Sequence, residues 1–306
     1  MGTGCMSKGT GLSWQDCTVI SEEELFEHIF ESGNWENNNT DVTAYCVRPD
    51  FGTINYSSFV SFIKDKFPYF VFPEEKVQDF EYALHESQQM TDYKDDAAKD
   101  GKWGEMILFL MVDGIFNLPM VSHKISWKQN PSQEVKGSDG LFFGEFEGDE
   151  TLAIGEAKIY TNVKQGVNDA LESTDRFHGS GSQVSKEHEL KVASKNLSEN
   201  LTQEQIAKLA ETLGEGNHQY KMIHPIFIGY EENELRTIQR EHSEDEEIIQ
   251  RIRQYMEDNP LLDEVDSKLS NHPRLEKYQL IFLFLPVEDA DDFRDRIKEE
   301  IYPYST

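Results

Sequence analysis

Cysteine is scarce: Cys5, Cys17 and Cys46 are the only three in 306 residues. They are unevenly spaced and form no Cys-x-x-Cys, which argues against a disulfide framework or a cysteine zinc site and fits a reducing compartment. Long hydrophobic runs are missing too. The longest apolar stretch, 280–287, is strand-sized, so no membrane span is expected. The first residues show no basic segment followed by an apolar one, and Met6 stands where a myristoylation signal needs Ser or Thr. A cytoplasmic location is therefore expected. Positive charge is short: 29 Lys and Arg face 58 Asp and Glu, a net charge of −29. Such a field repels nucleic acid on average. Composition alone thus predicts a soluble protein that avoids DNA, or one with a basic partner.

Several reactive motifs are also lacking. There is no Gly-x-Ser-x-Gly, and no Cys lies near a His in a suggestive context, which argues against a nucleophilic hydrolase. His178, His188, His218 and His224 are scattered without metal-ligand spacing, so no zinc site is expected. Gly179-Ser180-Gly181-Ser182 has no Lys-Ser/Thr after it and reads as a flexible loop rather than a phosphate cradle.

What is present is a rich aromatic content (Phe 19, Tyr 12, Trp 4), which argues against disorder. Ser21-x-x-Glu24 is a capping box and predicts a helix carrying Leu25, Phe26, Ile29 and Phe30 on one face. A strand is predicted over 42–47. Two short helices follow, around Phe59 to Ile63 and Val77 to Leu84, separated by Pro68 and Pro73. From Trp103 the character changes to helix (103–112), three strands (120–127, 138–146, 151–160) and helix (163–177). Thr202-x-x-Gln205 and Ser243-x-x-Glu246 cap two further helices, 222–230 and 279–287 read as strands, and Ala290 to Ile301 as a terminal helix. The class is α/β, or mixed α+β. The expected division is an N-terminal α/β region over 1–100, a candidate for partner binding, and a main domain over 101–306. The latter comprises a motif core at 101–177, a helical insert at 178–220 and the remaining elements at 221–306.

Three pieces of that core carry chemistry: Gly104-Glu105 in the apolar helix, Gly137-Ser138-Asp139-Gly140 entering a strand, and Gly155-Glu156-Ala157-Lys158 within the next. Glu156 and Lys158 are two apart on a strand and share a face. A carboxylate and an ammonium flanked by Ala153, Ile154 and Ile159 are costly unless paired or used. If the two strands pair as a hairpin, Asp139 approaches Glu156, and two carboxylates make a hard-oxygen site suited to Mg²⁺ or Mn²⁺. The Ala157 carbonyl and Glu105 are further candidate ligands. Lys158 is placed to orient an attacking water or stabilise charge. The bland alternatives are a cross-strand ion pair for Glu156 and Lys158, a turn residue for Asp139 and a helix-start acid for Glu105. Lys124, Lys128, Lys136 and Lys164 flank the site; Lys136 and Lys164 are the candidate DNA contacts.

A helical Glu, a strand Asp and a strand Glu-x-Lys in this order resemble the PD-(D/E)XK nuclease superfamily, although Ser138 stands where the superfamily name has Pro. The fuller wording, with Gly104-Glu105, Gly137-Ser138-Asp139-Gly140-Leu141 and Gly155-Glu156-Ala157-Lys158-Ile159-Tyr160, looks like the HamA nucleases of the Hachiman anti-phage defence system. The resemblance is sharpest over 101–177. It implies a restriction-endonuclease-like core, a central mixed sheet flanked by helices. It also implies a Mg²⁺-dependent (or Mn²⁺-dependent) DNase, with Glu105, Asp139, Glu156 and Lys158 catalytic, Asp139 and Glu156 binding metal and Glu105 a further possible metal ligand. The implied partners are DNA and the superfamily 2 helicase HamB. The competing expectation is a catalytically silent nuclease-fold protein that binds and regulates a helicase.

The charge is unevenly spread: −12 over 1–100, −5 over 101–177, −1 over 178–230 and −11 over 231–306. The acid lies in the flanks. This narrows the expectation to weak DNA affinity by itself, with a partner delivering the substrate.

Overall fold

Segments rich in β-branched and aromatic residues come together as one sheet. The computed structural model describes residues 14–72, 76–91, 101–122, 138–179, 203–213 and 220–303. The first helix, α1 (Glu22–Phe26), is opened by the reciprocal Ser21–Glu24 capping box. Then come β1 (Ile29–Asn37), β2 (Thr40–Val47), a two-stranded hairpin of β3 (Pro49–Asp50) and β4 (Thr53–Ile54), α2 (Tyr56–Val71), α3 (Phe80–Met90) and α4 (Lys102–Phe116). Next are β5 (Met120–Ser122), β6 (Gly140–Phe146), β7 (Asp149–Tyr160), α5 (Val163–Phe177), α6 (Gln203–Leu213) and β8 (Lys221–Glu231). The chain continues with α7 (Glu234–Glu241), α8 (Asp245–Asp258), α9 (Leu261–Leu269), β9 (Gln279–Val287) and α10 (Ala290–Ile301).

The main sheet is mixed, with seven strands in the order β1-β2-β9-β8-β7-β6-β5. β2, β9, β8 and β7 run parallel to their neighbours, whereas β1–β2, β5–β6 and β6–β7 are antiparallel. Strands from both the first hundred residues and the remainder therefore share one sheet, through the pairing of β2 with β9. The four parallel strands bring their C-terminal ends to one edge, where ligands of such sheets ordinarily bind. Helices cover both faces. α4 packs on the face that carries Ala153 and Ala157, joined by α2 and α10. α5 lies on the other face, where a Cβ on Gly166 would meet Ile228 at 3.0 Å and Tyr160 at 3.6 Å. A smaller core of Leu141, Phe143, Leu152, Ile154, Phe177 and Leu209 forms on that second face.

Three expectations from sequence need correcting. Ile29 and Phe30 are not on the first helix: it stops at Phe26, and they open β1, each paired with a residue of β2. Their 3.6-like spacing from Leu25 is a coincidence that strand pairing overrides. Pro68 does not separate two helices but lies inside α2, near its end, where only one main-chain hydrogen bond is forfeited. Ser243 is not the cap of α8. Glu244 holds that place without a side-chain bond, and Asp245, Glu246 and Glu247 line the first turn, where the helix dipole favours acids. The helices α7 and α9 were not anticipated. The stretch 123–137, Thr202 and most of the Gly179–Ser182 loop lie outside the described residues.

Candidate active site

The β6–β7 hairpin, on which the expected approach of Asp139 to Glu156 depends, forms with Gly140 opposite Gly155. β6 begins there, but β7 continues to Tyr160. Peptide groups of β7 beyond Gly155 have no β6 partner on that side. Asp139 takes over the task of the missing strand. Its backbone N–H donates to the Gly155 carbonyl at 2.9 Å, and its Oδ2 accepts the Ala157 N–H at 2.7 Å. The turn chemistry of Ser-Asp-Gly thus has a local structural use, which is to cap the exposed end of a longer neighbouring strand.

Glu156, Lys158 and Tyr160 alternate onto the α5 face of β7. The Lys158 ammonium donates to Glu156 Oε1 and, at 3.1 Å, to the Ala157 carbonyl. One residue, Ala157, is therefore held by Asp139 at its N–H and by Lys158 at its carbonyl oxygen. Asp139 is 6% exposed and Glu156 7%, so both carboxylates are largely out of water and their charge has to be matched locally. Lys158 does this for Glu156. Tyr160, to which the sequence reading gave no role of its own, extends the same face and donates to Asp169 of α5 at 2.8 Å. Burial, with the Asp169 carboxylate, raises its hydroxyl above the ordinary value, so it stays protonated at neutral pH. The period-two step from Glu156 through Lys158 was the signal that could have found it.

Glu105 reaches the neighbourhood from the opposite face. Gly104, just before it, is pressed onto β7: a Cβ there would stand 3.3 Å from that of Ala157. The half-buried Glu105 side chain turns back toward the start of α4, its Oε1 3.9 Å from where a Cβ on Gly101 would lie. Among the described residues, no three His, Cys, Asp or Glu side chains gather closely enough to hold a metal ion. The candidate donors at β7 are the Asp139 and Glu156 carboxylates and the Ala157 carbonyl. These are hard oxygens, and their chemistry fits Mg²⁺, which is commonly held by one or two protein carboxylates with water completing its shell.

Lys164, at the start of α5, is exposed, with its Nζ 3.6 Å from Glu264. Lys124, Lys128 and Lys136 lie outside the described residues. The histidines that looked scattered include one close pair. His178 and His224 approach Nε2 to Nε2 at 2.9 Å, with Tyr278 stacked on His178. They come from the end of α5 and from β8, 46 residues apart, so no local spacing could announce them.

Among the described residues no helix is long and apolar enough to cross a membrane. No curated protein matches the chain. The family model described as HamA matches residues 22–301, which takes in the three motif pieces and both flanks, and the chain belongs to the HamA family.

Proposed function

We propose that this chain is a metal-dependent deoxyribonuclease, the effector of an anti-phage defence complex, which hydrolyses DNA phosphodiester bonds under control of the helicase HamB. Membership of the HamA family supports the defence role. The nuclease reading is carried by one observation: Asp139, Glu156 and Lys158 meet around the backbone of Ala157 where β7 outruns β6. Asp139, Glu156 and the Ala157 carbonyl would hold Mg²⁺ or Mn²⁺. Such an ion, when bound, neutralises charge on the phosphodiester and makes a bound water more acidic. Lys158, steadied between Glu156 and Ala157, orients the attacking water or stabilises developing negative charge. Glu105 supports the site from α4, and Lys136 and Lys164 contact the DNA backbone.

Glu156→Gln and Lys158→Ala should each lower plasmid cleavage by about 10²-fold or more while the circular-dichroism spectrum is unchanged. Full cleavage by either purified variant overturns the assignment.

A second reading, a catalytically silent nuclease-fold protein that docks on a helicase, is favoured by the net charge of −29. Calorimetry with Mn²⁺ separates the two. Binding by the native chain that Asp139→Asn abolishes supports the nuclease, and no binding with an intact helicase complex supports the silent protein.

A further inference from the structure

Away from the β7 site, where β1 begins beside the end of β2, a cavity of about 400 Å³ opens against α2. Its floor is a single stripe of that helix: Phe62, Asp65, Lys66 and Tyr69 recur at helical spacing and all line it. Glu24, Glu27 and His28 close it from α1 and the turn that follows, and Phe80 closes it from the first turn of α3. Aromatic faces set among carboxylates are the chemistry that takes up an organic cation.

The fold already places one cation there. Lys66 Nζ lies 5.6 Å from the ring centre of Phe62 and 5.9 Å from that of Tyr69. It also pairs with Glu24 at 3.1 Å, which balances that carboxylate. Glu27 and Asp65 are exposed at the rim, and among the described residues neither forms an ion pair. His28 adds no compensating charge at neutral pH. Burial lowers its imidazole below the ordinary value, and it stacks on Phe62 with centroids 4.6 Å apart. The cavity is thus negative, partly aromatic and open to a second cation.

We propose that this cavity receives an arginine side chain from a protein partner with a basic surface. A guanidinium is flat enough to lie along Tyr69 and Phe80, and its five donors can engage Glu27 and Asp65 together, which the point charge of a lysine does less well. The charge of the chain, −29 in total, fits a basic counterpart. The proposal rests on the partner dependence stated under Proposed function, and it names where that partner docks.

The test uses the full chain in two arms. In the first, acetyl-Gly-Arg-Gly-amide, its lysine and norleucine counterparts, and spermidine are titrated and followed by NMR. The arginine peptide should saturate, the lysine peptide should bind several-fold more weakly and the norleucine peptide should not bind. The double variant Glu27→Gln/Asp65→Asn should weaken arginine-peptide binding at least tenfold, whereas Glu22→Gln/Glu23→Gln, outside the cavity, should not. Undiminished binding by the Glu27/Asp65 variant overturns the proposal. So does spermidine binding tighter than the arginine peptide, which would assign the cavity to a free polyamine. In the second arm the native chain and the Glu27/Asp65 variant are titrated with the helicase. A tenfold or greater loss in the variant supports the pocket. Equal binding overturns the pocket and leaves the partner reading standing. No binding by the native chain overturns the partner reading, and with it the docking role of the cavity.

Discussion

Asp113 and Asp139 are both buried carboxylates, and their surroundings set them different tasks. Asp113, in the last turn of α4, has one oxygen accepting the N–H groups of Val19 and Ile20, both at 2.9 Å, which fastens the segment before α1 to the core. Burial pushes its carboxyl up to about 7 against the pull of those two donors. The folded state therefore holds the proton more tightly than the unfolded chain. The contribution of Asp113 to stability is complete below the unfolded value, declines as pH rises toward 7 and is flat above it. Asp113→Asn keeps an acceptor and removes the titration. Its stability relative to the native chain should rise between pH 5 and 7 by about 1.4 kcal/mol per pH unit at most, measured by urea unfolding at each pH. A difference independent of pH would contradict this. At Asp139, two substitutions separate structure from chemistry. Asp139→Asn retains an oxygen for the Ala157 N–H and should change stability by less than about 1 kcal/mol while abolishing cleavage. Asp139→Ala leaves that N–H without its partner and should cost about 1–3 kcal/mol as well.

At the scale of elements, the site depends on β7 being held between α4 and α5. Gly155 permits the close approach on one side: a Cβ there would lie 2.6 Å from Leu108 of α4 and 3.3 Å from the Gly140 carbonyl. Gly155→Val should destabilise the fold by about 1–3 kcal/mol and lower cleavage through displacement of α4 and β6, read by urea unfolding and plasmid assay together. The last helix offers a contrast remote from the site. Asp289 caps α10 by accepting from the N–H groups of Asp291 and Asp292, and Asp289→Ala should cost about 1 kcal/mol with cleavage unchanged at 25 °C. Elements of this kind were legible in the sequence. The periods of 163–177 and 279–287 were strong enough to give both ends of α5 and β9. β1 was not legible, because Ile29 and Phe30 satisfy a helical spacing and only pairing with β2 shows their other use.

Across the whole molecule the dominant quantity is charge. Self-repulsion at −29 weakens the compact state, and salt screens it. The melting temperature should therefore rise between 20 and 300 mM NaCl, checked by calorimetry at pH 7.5; a fall would mean that the surface ion pairs outweigh the repulsion. The same field should leave the isolated chain a poor DNA binder even at low salt.

The candidate catalytic residues were legible from sequence alone because order and strand alternation are local properties: Asp139 before Glu156, and Glu156 and Lys158 on one face. Composition likewise established the acidity and where along the chain it lies. Tertiary structure decided the rest. The unequal lengths of β6 and β7 made Asp139 the partner of a backbone N–H, and the packing of Gly104 brought α4 against Ala157. It also assembled the α2 cavity from α1, α2 and α3, and the His178–His224 contact from α5 and β8. These features depend on which surfaces meet when the sheet is covered, and side chains far apart in the chain have no shared period to declare it.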